Sequence, residues 1–388
     1  MSKKIILSKN KKTKIGKNVL VVGESGSGKT YGFVIPNLLQ MNASYVVNDH
    51  EGYLYKTVGE ILRQNGYKVK VLDVSDPAHS NHYNPFSYFN GKLEPLFFAD
   101  HLAQYLNAIH VDEEVDTFVR MTEQIYLRTC ISYCAECFGK NCTLATVGDM
   151  LDKFASETEE GNAEFHALFQ SLPDDSNTKL FYMAFCQNPT KTQMKIMKNV
   201  QTKFHAFILE GISDLPATDD LELDKVCEEK TAIFLIDHGT GLYAHGFLFS
   251  FLYTQLFEIL AEKTKGEQAN IPVHILMDEF PNFPFIKDLP EIMIREELSL
   301  ISISVVIQDI SQLMVLYPET WKDFANKCFD KILFLGSPSL ATIEFFSDKY
   351  KIGNDTLLST GKKALLIGDE KNLILDEKFA GKDHKNWK

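Results

Sequence analysis

Three short stretches of this chain carry the residue types that phosphate chemistry needs. The first, Gly23-Glu24-Ser25-Gly26-Ser27-Gly28-Lys29-Thr30, satisfies G-x-x-x-x-G-K-[ST] at every fixed position. Glycines at 23, 26 and 28 let the backbone reach positive φ and wrap its N–H groups around a polyphosphate, while Lys29 neutralises β/γ oxygens and Thr30 ligates Mg²⁺. A helix starting near Gly28 adds its positive end. The second stretch is VHILMDEF, 273 to 280, whose apolar positions place Asp278 and Glu279 at the carboxyl end of a buried strand, where ligands of open α/β sheets bind. There Asp278 is suited to hold Mg²⁺ through water and Glu279 to polarise an attacking water. The third is Gln308, closing the run ISISVVI. If that strand lies beside the one carrying Asp278, its amide reaches the γ-phosphate or the water. The cofactors implied are ATP and Mg²⁺, and there is no N-K-x-D guanine signature, since Asn326-Lys327 is followed by Cys328 and Phe329.

The elements around these stretches predict how they are positioned. Residues 18–22 form a β-branched run ahead of the phosphate loop, and a helix from Lys29 to Met41, interrupted at Pro36, follows it. SYVVND (44–49) and YKVKVLDV (67–74) read as two further strands with a helix between them, so the pattern is β-α-β-α-β and the sheet parallel. The segment 76–91 is all turn chemistry and marks a boundary. Residues 92–220 change to helical periodicity, and strands resume at TAIFLID (231–237), continuing through ISISVVI and KILFLG to a last strand KALLIG (363–368). The expected organisation is a nucleotide-binding domain in two parts, 1–91 and 221–388, interrupted by an all-α insertion, 92–220. The tail from Lys378 is short and polar and reads as frayed.

Composition sets outer bounds. A chain of 388 residues with 45% hydrophobic and 24% charged residues buries a large core and has room for about two domains. A net charge of −12 argues against general coating of nucleic acid, but residues 1–17 carry seven lysines and no acid. A second exception is the acid-free window 176–209, holding Lys179, Lys191, Lys195, Lys198 and Lys203. Lys191, Lys195 and Lys198 share one helix face, read either as a solvated face or as a contact to a phosphate backbone. Seven cysteines without a signal peptide point to reduced thiols. Cys130, Cys134 and Cys137 fall on one helix face with Cys142 beyond it, a spacing that favours burial over a metal cluster. Residues 238–257 contain no Asp, Glu, Lys or Arg and are long enough to cross a bilayer, yet strands on both sides require a crossover helix packed on the sheet.

Read with their surroundings, these motifs closely resemble those of the type IV coupling proteins of bacterial conjugation, the TraG/TraD class of DNA-translocating ATPases. The matching pieces are GESGSGKTYGFVIPNLL (23–39), VVNDHEGYL (46–54), HYNPF (82–86), LMDEFPNF (276–283), SVVIQDISQL (304–313) and KCFDKILFLGS (327–337), in the family's order and spacing. The resemblance implies an α/β RecA-like P-loop NTPase with a mostly parallel sheet and an inserted all-α domain. It implies a homo-hexameric ring with ATP at subunit interfaces, monomeric in the absence of DNA or partner, that recruits relaxase-bound single-stranded DNA and delivers it to a type IV secretion channel. Three departures stand out. Family members begin with transmembrane helices, whereas 22 residues precede Gly23 here and none forms a span, so a cytoplasmic protein brought to the inner face of the membrane by a channel ATPase or anchor protein is expected. In place of the family's D-P-K-G-E-L stands Asp49-His50-Glu51-Gly52-Tyr53-Leu54. The arginines usual before the sensor glutamine are replaced by Ser299 and Glu297, leaving Arg295 as the nearest candidate for a finger acting in trans. The competing readings are a nucleotide-switched adaptor docking relaxase to the channel, a cytosolic DNA pump of another system, and a small-molecule kinase, for which no acceptor site is recognisable.

Overall fold

The computed structural model describes residues 18–387 except 92, 109–115, 156–158, 210–216, 240–242, 287, 299, 338, 359–362, 368–372, 378–381 and 383. Among the described residues nine strands form one sheet: β1 (Val19–Val22), β2 (Ser44–His50), β3 (Lys68–Asp73), β4 (Thr231–Asp237), β5 (Val273–Met277), β6 (Ile301–Ile307), β7 (Lys331–Phe334), β8 (Lys363–Ile367) and β9 (Leu373–Glu377). Their spatial order is β3-β4-β2-β5-β6-β1-β7-β8-β9. From β3 through β7 every pairing is parallel, and β8 and β9 extend the β7 edge antiparallel. The central strands are near-continuous apolar runs because helices cover both faces of a parallel sheet. Accordingly β1 and β4 are buried at every position. Alternate residues serve opposite faces: Val19 and Val21 pack with Phe33, Val34 and Leu38 of the segment after the phosphate loop.

The chain divides into two compact units, one of residues up to Ser75 with Leu221–Thr240 and Leu256–Lys388, the other Asp76–Asp220 with Gly241–Gln255. The second unit is helical among its described residues, its longest members being Thr117–Phe138 and Thr190–Leu209. It starts at Asp76 rather than at residue 92, because the turn-rich segment is tied into it by specific bonds. Asn84 Nδ2 donates to the Cys142 carbonyl at 2.8 Å, its backbone N–H donates to Asp219 Oδ1 at 3.1 Å, and Tyr88 Oη donates to Asp219 Oδ2 at 2.6 Å. The HYNPF segment is thus a polar clasp closing the helical unit. Cys130, Cys134 and Cys142 are buried and Cys137 is exposed. No helix among the described residues is long and apolar enough to cross a membrane.

Three local expectations are corrected. The segment after the phosphate loop opens as a π-helical turn, Thr30–Val34, continuing as a short α-helix, Ile35–Leu38, with Pro36 in its first turn. Pro36 follows directly on the wider turn, in which the Ile35 N–H reaches back five residues to the Thr30 carbonyl, a break in the regular bonding pattern that accommodates a residue without an N–H. KALLIG is not the last strand, since β9 pairs with β8, and part of the frayed-looking tail is docked: Asn386 Nδ2 donates to the Leu39 carbonyl at 2.7 Å, and Trp387 packs against the core.

Candidate functional site

The phosphate loop leaves β1 between two neighbouring strands that hold it in place. The Gly23 N–H donates to the Ile307 carbonyl at the end of β6, and the Glu24 N–H to the Gly336 carbonyl just after β7. Of the loop glycines, Gly26 and Gly28 take positive φ, +75° and +91°. Gly23 does not, and it is required for a different reason: a Cβ there would lie 2.4 Å from Ser27 Oγ and 2.9 Å from Leu335 Cβ. Lys29 is buried, its ammonium donating to the carbonyls of Gly23 at 2.6 Å and Glu24 at 2.9 Å. The loop therefore concentrates a cation at the centre of a ring of backbone groups, the arrangement that receives a polyphosphate.

Strand order brings the second and third stretches to the same edge. β6 pairs in register with β5 on one side and β1 on the other, so the carboxyl ends of all three strands open onto one crevice. Asp278, just past β5, is 5% exposed and accepts a 2.6 Å hydrogen bond from Thr30 Oγ1. Burial pushes its carboxyl up to about 6; the Thr30 bond opposes the shift and the Glu279 charge adds to it. Glu279 occupies left-handed backbone (φ 46°, ψ 46°), uncommon for a residue with a side chain, and its Oε2 accepts from Asn282 Nδ2 at 2.8 Å. Gln308 is exposed at the end of β6, its backbone N–H donating to Gln312 Oε1 at 2.7 Å.

These residues fit magnesium and a nucleoside triphosphate. A partly buried hydroxyl paired with a buried carboxylate next to a phosphate loop supplies the one or two protein ligands Mg²⁺ takes, the rest coming from phosphate and water. Among the described residues there is no group of three or more His, Cys, Asp or Glu that would hold a metal by itself.

Arg295 lies elsewhere. It sits before the amino end of β6, near the edge where Asn18 Nδ2 donates to the Met293 carbonyl, and seven strand residues, about 20 Å, separate that edge from the crevice. Its guanidinium pairs with Glu258 at 2.6 Å and Glu297 at 3.9 Å. It therefore cannot reach the phosphate loop of its own chain.

Two site residues escaped the sequence reading. Asn282 orients Glu279; the signal was present in LMDEFPNF, but nothing local says that the asparagine turns back. Asp49, which opens the segment Asp49–Leu54, is fully buried at the end of β2, one position beyond the Asn48–Met277 pair and so beside Asp278. Its two oxygens accept the N–H groups of Leu54 at 2.8 Å and Tyr55 at 2.7 Å, capping the helix Tyr53–Gln64. Burial raises its carboxyl to about 6, opposed by those two bonds and reinforced by the Asp278 charge.

Solved structures similar to this one share its fold. The unbound bacterial conjugative coupling protein TrwBdeltaN70 matches with a TM-score of 0.61 at 13% identity, over 94% of this chain and 86% of that one. The plasmid coupling protein TrwB in complex with ADP and Mg²⁺ matches at 0.56 and 12%, over 96% and 80%. VirB4 of Thermoanaerobacter pseudethanolicus matches at 0.56 and 12%, over 94% and 89%. The architecture is thus that of a RecA-like P-loop NTPase. No curated protein sequence matches significantly. The family model for type IV secretory system conjugative DNA transfer matches residues 3–357, nearly the whole chain and all of the crevice. On that match, the protein belongs to the conjugative DNA transfer family of type IV secretion systems.

Proposed function

We propose that this protein is an ATP-hydrolysing coupling protein, which forms a homo-hexameric ring, recruits relaxase-bound single-stranded DNA and drives its passage into a type IV secretion channel. The observation that carries the reading is the convergence of Lys29, Thr30, Asp278, Glu279 and Gln308 at the carboxyl ends of three adjacent parallel strands. A similar fold binds ADP and Mg²⁺ in TrwB. Lys29, leaving the carbonyls it now holds, neutralises β/γ oxygens, and Thr30 with Asp278 holds Mg²⁺. The metal supplies charge neutralisation for the leaving phosphate. Glu279, kept in place by Asn282, takes the proton of the attacking water; Gln308 orients that water and passes the state of the site to the helices beyond β6. Arg295, too far from its own loop, serves a neighbouring subunit's site.

For DNA the helical unit offers Lys191, Lys195 and Lys198, all exposed on the helix Thr190–Leu209. The other two lysines of the acid-free window are occupied by structure. Lys179 bonds Asp174 at 2.6 Å and the Leu172 carbonyl at 2.8 Å, and Lys203 pairs with the buried Glu123 at 2.6 Å. Steady-state phosphate release with and without single-stranded DNA tests the reading. Glu279→Gln should keep nucleotide binding and lower turnover by at least about a hundredfold. Hydrolysis by that variant at the parental rate would remove Glu279 from the chemistry, and turnover indifferent to DNA would favour a nucleotide-switched adaptor.

A further inference from the structure

Residues 384–387 lie beyond the stretch matched by the family model, yet they are held beside the phosphate loop. The Trp387 N–H closes a turn onto the His384 carbonyl at 2.9 Å, and Asn386 Nδ2 caps the Leu39 carbonyl, one of the acceptors a helix end leaves free. This places the Trp387 ring against Tyr31, centroids 5.8 Å apart at 72°, an edge-to-face pair. Both rings are partly buried against the core. Tyr31 is the residue directly after Thr30 and belongs to the π-helical turn, an irregularity frequent at functional sites.

Chain order in a phosphate loop sets ligand order. The lysine reaches β/γ oxygens, the following hydroxyl takes the metal, and the backbone cradles the phosphates toward α, so the nucleoside lies past the loop's end. At that end stand two aromatic rings contributed by segments more than 350 residues apart. We propose that Trp387, steadied by Tyr31, is the nucleoside subsite of this nucleotide centre, with the base stacked on the indole. The inference rests on reading Gly23–Thr30 as a nucleotide site. Stacking is tolerant of base identity because every base has a π-face, so ATP and GTP are held about equally.

Only two tryptophans are present, Trp321 and Trp387, so Trp321→Phe leaves Trp387 as sole reporter. Its emission is titrated with Mg²⁺-ATP and with Mg²⁺-tripolyphosphate, which offers phosphates without a nucleoside. A saturable change is expected with ATP and none with tripolyphosphate. By calorimetry, Trp387→Ala should weaken ATP about 5- to 150-fold, the range for losing one base–aromatic stack, and leave tripolyphosphate within about twofold; Trp387→Phe should retain most of the ATP affinity. Equal losses for the two ligands would show that Trp387 merely braces the helix, and unchanged ATP affinity would show that it does not touch the nucleoside; either overturns the proposal. Failure of both ligands to bind the parent protein would instead overturn the phosphate site itself, and the subsite with it.

Discussion

Asp278→Asn should stabilise the nucleotide-free protein while removing its metal site. The buried carboxyl titrates near 6 rather than at its ordinary 3.8, so the folded state prefers the protonated form. A raised acid confers no penalty below the unfolded value; the penalty grows as pH rises through the interval and is complete above the folded value. At about 1.4 kcal/mol per unit, the cost of holding Asp278 ionised is about 3 kcal/mol at pH 8 and about 1.6 kcal/mol at pH 5. Asparagine is neutral at every pH and keeps both contacts: its oxygen accepts from the Glu279 N–H, as Asp278 Oδ1 does at 3.1 Å, and its amide donates to the Thr30 hydroxyl. Urea denaturation in a chelator, followed by tryptophan emission, reads the right part of the molecule, because Trp321 and Trp387 both belong to the unit carrying the crevice. The variant's advantage should widen by about 1.4 kcal/mol between about pH 5 and pH 8. Mg²⁺-ATP should reverse the ranking, since a divalent cation favours the ionised carboxylate and stabilises only the protein that binds it. An advantage that does not change with pH would refute the argument that burial penalises this charge.

The remaining predictions concern the helical unit. Replacing Lys191, Lys195 and Lys198 together with glutamine should flatten the dependence of single-strand binding on log salt by about two units, at about 0.7 per phosphate contact, and weaken DNA-stimulated turnover while sparing DNA-free hydrolysis. An unchanged slope in a fluorescent-strand titration would make this a solvated face. Lys203→Met should cost about 3–5 kcal/mol in denaturant unfolding, because Glu123, 3% exposed, would be left as a buried charge without its 2.6 Å partner. Adding Glu123→Leu should recover most of that loss, and a single variant as stable as the parent would show that the pair is dispensable.

What the sequence determined by itself is what depends on neighbours along the chain. The phosphate loop is a local backbone device, so its residue types and spacing announce it without tertiary information. The Asp278-Glu279 pair is legible from its context, a short apolar run ending in two acids downstream of a complete phosphate loop, which reads as a buried strand with its charges at the rim. The parallel character of the sheet follows from the alternation of strands and helices, and the family from motifs in fixed order. The tertiary structure decided everything that depends on which strands adjoin. Parallel strands buried on both faces are interchangeable apolar runs, so nothing in ISISVVI says that β6 inserts between β1 and β5, and that insertion brings Gln308 to the phosphate loop while leaving Arg295 at the far edge. Gly23 looks like a glycine needed for its φ, and only the packed loop shows that it is there to admit Ser27. Lysines of one acid-free window look alike in sequence, yet Lys203 is committed to a buried carboxylate 80 residues away and Lys179 to a nearby turn, which leaves Lys191, Lys195 and Lys198 facing outward. Trp387 reads as the end of a polar tail; its place beside Tyr31 comes with core packing and with the Asn386 amide bound to the Leu39 carbonyl, long-range contacts that no local pattern encodes.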